Sequence, residues 1–192
     1  MERQQRGTGL LLGTALVAMG LISGSFYVFA CAVMPGLARG SDRAYIEVMQ
    51  NINVVIQNPV FGLSFMGSLV FTAAAAWRVR RTPLRWWVLA ALLVYGVALL
   101  LTFTTNVPLN DELADAGDPA RIADPARVRA DFEDMWVVWN GVRAVLCTVA
   151  FGLLARALVL WGALGRAPGR AVADPAAHSP YFDPTAGSSA SR

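Results

Sequence analysis

Residues 86–105 read WWVLAALLVYGVALLLTFTT, a run from Trp86 to Thr105 that carries no charge. A helix of about 20 such residues matches the hydrocarbon thickness of a bilayer. Three more apolar runs flank it: about Thr8–Met34, ended by Pro35, then Pro59–Trp77, then Met135–Trp161, which alone of the four contains charges, Arg143 and Arg156. The chain has 192 residues, 56% of them hydrophobic and 15% charged, where a soluble domain carries roughly 25% charged residues. The expected fold is all-α, a four-transmembrane-helix bundle over residues 1–165. Residues 166–192 are rich in Pro, Ala, Gly and Ser and cannot bury a core, so a disordered cytoplasmic tail is expected there, holding the lone His178 as a solvated residue.

Orientation follows from the arginines, since the chain has no lysine. Arg3 and Arg6 precede the first run, Arg78, Arg80, Arg81 and Arg85 fill the link between the second and third, and Arg156, Arg166 and Arg170 close the fourth. The positive-inside rule puts these on the cytoplasmic side. Both termini are then cytoplasmic, in the inner (cytoplasmic) membrane of a bacterium. The Ala- and Arg-rich usage without lysine is the coding bias of a high-GC bacterial source and carries no function. The outward loops are 36–58, nearly balanced in charge, and 106–134, which is acidic. The net charge of +3 therefore describes no basic ligand-binding face but the arithmetic of an inner basic rim and an outer acidic loop, and no nucleic-acid partner is expected.

Ala30-Cys31-Ala32 resembles a signal-peptide cleavage site, but the preceding apolar stretch exceeds the 7–15 residues of a usual h-region, so the first run reads as a retained span. Cys31 and Cys147 fall at different depths and read as small buried hydrophobes, not a disulfide.

Ser41–Gln57 is too polar to span, yet Tyr45, Val48, Met49, Ile52, Val55 and Ile56 recur at helical spacing, with Ser41 or Asp42 able to cap the start. An extra amphipathic helix is expected in the first extracytoplasmic loop, either lying on the membrane surface or folded into the mouth of the bundle. Glu47, Asn51 and Asn58 form a separate polar stripe, with Gln50, Asn53 and Gln57 beside it.

The polar side chains of the spans gather at the same end. The third run closes with Thr102, Thr104, Thr105 and Asn106, followed by Asn110. Trp136, Trp139, Asn140, Arg143 and Cys147 share one face of the fourth. Phe26, Tyr27 and Phe29 end the first. An arginine as deep as Arg143 either snorkels to the headgroups or faces the bundle interior and needs a partner. Glu47 is the expected carboxylate, as a structural clasp or as part of a ligand site. Absences narrow the chemistry: no span holds a histidine, and there is no Cys-x-x-Cys, Glu-x-x-His or Gly-rich phosphate loop. No metal site and no cofactor is expected.

Four motifs occur in order: Val33-Met34-Pro35-Gly36-Leu37; Met49-Gln50-Asn51-Ile52-Asn53 through Gln57-Asn58-Pro59-Val60-Phe61; Asn106-Val107-Pro108-Leu109-Asn110; and Trp139-Asn140-Gly141-Val142-Arg143. Over roughly residues 10–160 the chain resembles the anthrone oxygenase-like family of small membrane proteins. The resemblance implies a four-helix membrane fold and, in characterised members, oxidation of an anthrone to an anthraquinone with dioxygen. The residues are compatible with that chemistry. Glu47 is then the expected base, with Arg143 and Asn140 stabilising the developing enolate. Phe26, Tyr27, Trp136 and Trp139 would stack on a flat aromatic substrate, with Asn51, Asn106 and Asn110 as further contacts.

Two function classes stand side by side at this level. One is an oxidoreductase, a cofactor-independent or quinone-linked oxygenase of an aromatic small molecule. The other is a non-enzymatic membrane protein that binds a lipid or small molecule or supports a partner. A cavity lined by Glu47, Asn140 and Arg143 favours an enzyme or binder; a filled end favours a structural role.

Overall fold

The computed structural model of the protein describes residues 2–166; the expected tail lies beyond Arg166, outside the described residues. Its helices are α1 (Glu2–Val28), α2 (Met34–Leu37), α3 (Asp42–Val55), α4 (Pro59–Val79), α5 (Arg85–Leu101), α6 (Val107–Asp115) and α7 (Pro125–Arg166). A π-helical turn, Phe29–Val33, joins α1 to α2, and another, Thr102–Asn106, joins α5 to α6. No strand occurs among the described residues. Four segments are long and apolar enough to cross a membrane: Gln5–Leu37, Pro59–Val79, Arg85–Asp115 and Pro125–Leu164. The fold is the all-α four-span bundle that the apolar runs predict.

The spans pack in a ring in chain order. α1 contacts α4 and α7, and α5 contacts the same two from the opposite side. The seams are built from small residues: Ala15, Ala18, Ala75, Ala91, Ala98, Ala144, Ala150 and Ala157 are all buried. Small side chains let backbones approach, and packing then replaces the hydrophobic drive that lipid removes. Polar bonds pin the seams. The Tyr95 hydroxyl donates to the Phe65 carbonyl at 2.7 Å, tying α5 to α4. The Ser23 and Thr148 hydroxyls lie 2.9 Å apart between α1 and α7. Large apolar residues such as Leu10, Val17, Leu63, Leu93 and Val145 point outward, as bilayer-facing side chains do. Arg156, the second arginine of the fourth run, is exposed, with its guanidinium 5.9 Å from the Trp87 ring. Cys31 is exposed, Cys147 is buried, and both are free.

At the end where α1 and α5 finish, the connecting segments form a cap with its own core of Met34, Tyr45, Ile46, Met49, Leu113, Ile122, Phe132 and Trp136. The Ser41 side chain caps α3 by accepting from the Ala44 N–H at 3.3 Å. The buried face of α3 is Tyr45, Ile46 and Met49, turned from the expected stripe: Ile46 is inside, while Val48 and Val55 are exposed. α3 is thus packed on α6 and α7 and does not simply lie on a surface. Burial pushes the Tyr45 phenol well above its ordinary pKa, with Glu133 adding to the shift, so it stays neutral. Arg129 clasps the cap: it contacts Glu133 and, at 3.0 Å, Asp42, donates to the Ala38 and Gly40 carbonyls, and covers the Tyr45 ring at 4.7 Å. Arg43 donates to the Pro119 and Ile122 carbonyls, and Gln50 to those of Leu113 and Gly117. Gly117 ends α6 at φ +80°, the left-handed conformation favoured past a helix C-terminus. The loop expected over 106–134 is therefore mostly helical, and only residues 116–124 connect α6 to α7.

Candidate functional site

Beneath the cap, the ends of the spans do not fill the space between them. A cavity of about 690 Å³ lies there, within the roughly 300–1,000 Å³ of small-molecule sites. α1 contributes Phe26, α3 Asn53, α4 Phe61 and Phe65, α5 and its π-turn Thr102 and Phe103, α6 Asn110 and Asp111, and α7 Trp136, Asn140 and Arg143.

Arg143 is the centre of the polar wall and only 4% exposed. Its two terminal nitrogens donate to the Thr102 hydroxyl at 3.3 Å and the Asn140 side-chain oxygen at 3.2 Å. The guanidinium sits 4.4 Å from the Phe26 ring and 5.7 Å from that of Trp136. Its Nε has no partner, and among the described residues no carboxylate pairs with it. Neighbouring bonds fix the assembly. Thr102 donates to the Ala98 carbonyl at 2.8 Å, Asn140 to the Phe26 carbonyl at 3.1 Å, and the Trp136 indole to the Asn110 side chain at 2.8 Å. A buried cation is thus held by π faces and neutral oxygens, with unused capacity for an anionic oxygen.

The π-turn in α5 shapes this wall. Pro108 has no N–H for the Thr104 carbonyl, and its ring crowds that carbonyl. The helix widens instead, and the Val107 N–H reaches the Thr102 carbonyl five residues back. Pro35 acts the same way in the first span, where the Met34 N–H reaches the Phe29 carbonyl.

Of the residues expected at the site, Asn110, Trp136, Asn140 and Arg143 line one cavity. Asn106 is 1% exposed beside it, with both side-chain polar atoms unpaired. Trp139 is half-buried and outside the wall; at about 100° per residue it lies some 60° round from Trp136. Tyr27 is 60% exposed, one residue past the inward Phe26. Glu47 and Asn51 are exposed and do not line the cavity. Each stands two residues from the buried Met49, so about 200° round α3. No Glu47–Arg143 pair forms.

The residue on the inward side of α3 is Asn53, four past Met49, whose buried Nδ2 is unpaired. Phe61, Phe65 and Phe103 supply an aromatic wall, with Phe65 5.6 Å from Phe61 and 6.2 Å from Phe103. Asp111 is the acidic residue of the lining. Of these, only Asn53 had a signal in the sequence, its helical offset from Met49. Among the described residues no group of three or more His, Cys, Asp or Glu is placed to hold a metal ion.

Neither the curated proteins nor the solved structures contain a match to the chain. A family model described as anthrone oxygenase matches residues 55–153, which run from the end of α3 through the Arg143 turn of α7. That match spans just over half of the sequence, and the chain belongs to the anthrone oxygenase family.

Proposed function

We propose that the cavity takes a flat, keto-bearing aromatic of the anthrone type and supports its oxidation by dioxygen. The observation that carries this reading is Arg143, a buried cation without a carboxylate partner in the wall of an aromatic cavity. In an anthrone, the methylene opposite the ketone is acidic because its anion is an aromatic oxyanion. Arg143 and the free amide of Asn53 are donors for that oxygen, and preorganised donors in a dry site lower the barrier to forming it. Asp111, exposed like Glu47 but part of the cavity lining, takes the proton in this scheme. The carbanion carbon then bonds to dioxygen, the carbon being oxidised and dioxygen reduced. Protonation gives a hydroperoxide. Loss of the second C–H proton breaks the O–O bond, releases water and leaves a carbonyl. In sum, CH₂ and O₂ become C=O and H₂O, with dioxygen as the only oxidant. Phe103 lines the cavity and is 55% exposed on the outer side of α5, which offers a lipophilic substrate a route from the bilayer. With both termini in the cytoplasm of a bacterium, this end of the bundle faces outward.

Turnover tests the reading. Protein purified in detergent is given emodin anthrone and air, and quinone absorbance is followed against Arg143→Met. A rate above the spontaneous one that disappears in the variant is the expected result. Binding without turnover would make the chain a carrier or binder of the same class of molecule. Equal rates in the two proteins would remove Arg143 from the chemistry.

A further inference from the structure

A second cavity, of about 540 Å³, opens at the opposite end of the bundle, between the starts of α1 and the ends of α4 and α7. Its lining includes Gln5, Trp77, Arg78, Arg80, Arg81 and Trp161, and no Asp or Glu among the described residues. Among the described residues, none of these arginines has a carboxylate within ion-pair distance. Arg80 is held at the mouth: its guanidinium lies 4.1 Å over the Trp77 ring and donates to the Trp77 carbonyl at 2.8 Å. Trp77 is 69% exposed, in keeping with an indole at headgroup depth. Two glycines of α1 face these side chains at ordinary contact distance. A Cβ at Gly7 would come within 4.0 Å of an Arg78 terminal nitrogen, and one at Gly9 within 3.4 Å of the Trp161 indole nitrogen.

We propose that this cavity binds the phosphate headgroup of an anionic phospholipid. Arginines near span ends follow from topology alone, but topology does not require a cavity walled by three of them together with two indoles. Guanidinium forks match phosphate oxygens in geometry and charge, and Gln5 and Trp161 are further donors at the same opening. The exposed Leu164, in the adjoining pocket that shares Gln5 and Trp161, offers the acyl chains an apolar surface. Basic pockets between spans on the cytoplasmic side are suited to such headgroups.

The test measures the melting temperature of the full chain in detergent with phosphatidylglycerol, with phosphatidylcholine and with inorganic phosphate, together with native mass spectra of the lipid-bearing samples. The expected result is a rise of roughly 5 °C with phosphatidylglycerol over phosphatidylcholine, with bound phosphatidylglycerol in the spectrum. Both signals should be lost in the Arg78→Gln/Arg81→Gln double variant and reduced in Gly7→Leu, which crowds the Arg78 guanidinium and keeps every arginine. Equal stabilisation by the two lipids would overturn the proposal, as would an undiminished response in a folded variant. Inorganic phosphate matching phosphatidylglycerol would also overturn it, by making the ligand a free anion.

Discussion

At the level of single residues, Arg143 carries the proposed chemistry. Its placement was legible because the spacing puts Trp136, Trp139, Asn140, Arg143 and Cys147 on one helical face, of which all but the half-buried Trp139 are buried. Its partner was not legible, because the sequence offers many carboxylates and only packing selects among them. The packing selects none: Thr102, Asn140 and two rings surround the guanidinium. Arg143→Met should therefore lower anthrone turnover about 100-fold, the typical loss of a preorganised donor. Arg143→Lys should fall between, since it keeps the charge without the planar fork. Glu47→Gln should leave the rate unchanged, whereas Asp111→Asn should lower it, both read from initial rates of quinone formation. A large loss in Glu47→Gln with none in Asp111→Asn would return the base to α3.

Among the elements, the two π-turns and the cap set the shape of the cavity. Both π-turns end two residues before a proline, and both stand at the depth of the cavity. The prolines were visible in the sequence, but their effect was not, since a proline near a span end also suits a plain helix stop. Pro108→Ala restores the missing N–H and lets α5 return to regular α-helix, which turns Thr102 away from Arg143. Turnover should drop several-fold while the melting temperature stays level or rises. Arg129 does the corresponding work in the cap. Its side chain is 15% exposed and that of Asp42 is 41% exposed, so Arg129→Met should cost about 2 kcal/mol, below the 3–5 kcal/mol of breaking a fully buried pair. A melting temperature lower by roughly 5 °C would register that loss.

For the molecule as a whole, the ring of four spans leaves an aromatic cavity beneath the cap and a basic one at the other end. The arginine distribution predicts that the basic end is cytoplasmic. In a Cys31→Ser/Cys147→Ala background, Ala123→Cys should react with a membrane-impermeant maleimide on intact cells. Pro83→Cys, in the turn between α4 and α5, should react only after permeabilisation. The reverse pattern would invert the topology and with it the leaflet that supplies the phospholipid.

The sequence by itself determined the all-α class, the four spans and the polar face of α7, because span length and helical periodicity are local properties that a bilayer enforces. It also marked α3 as a helix, through its cap and apolar spacing. The tertiary structure alone decided which side of α3 faces the bundle, and so that Asn53 points in and Glu47 points out. It alone decided that the acidic loop folds into α6 and the start of α7, bringing Asp111 to the cavity wall. The physical reason is the same in each case. A rotation of α3 by a fraction of a turn leaves its local energetics nearly unchanged, and only the fit of Tyr45, Ile46 and Met49 against α6 and α7 selects one rotation.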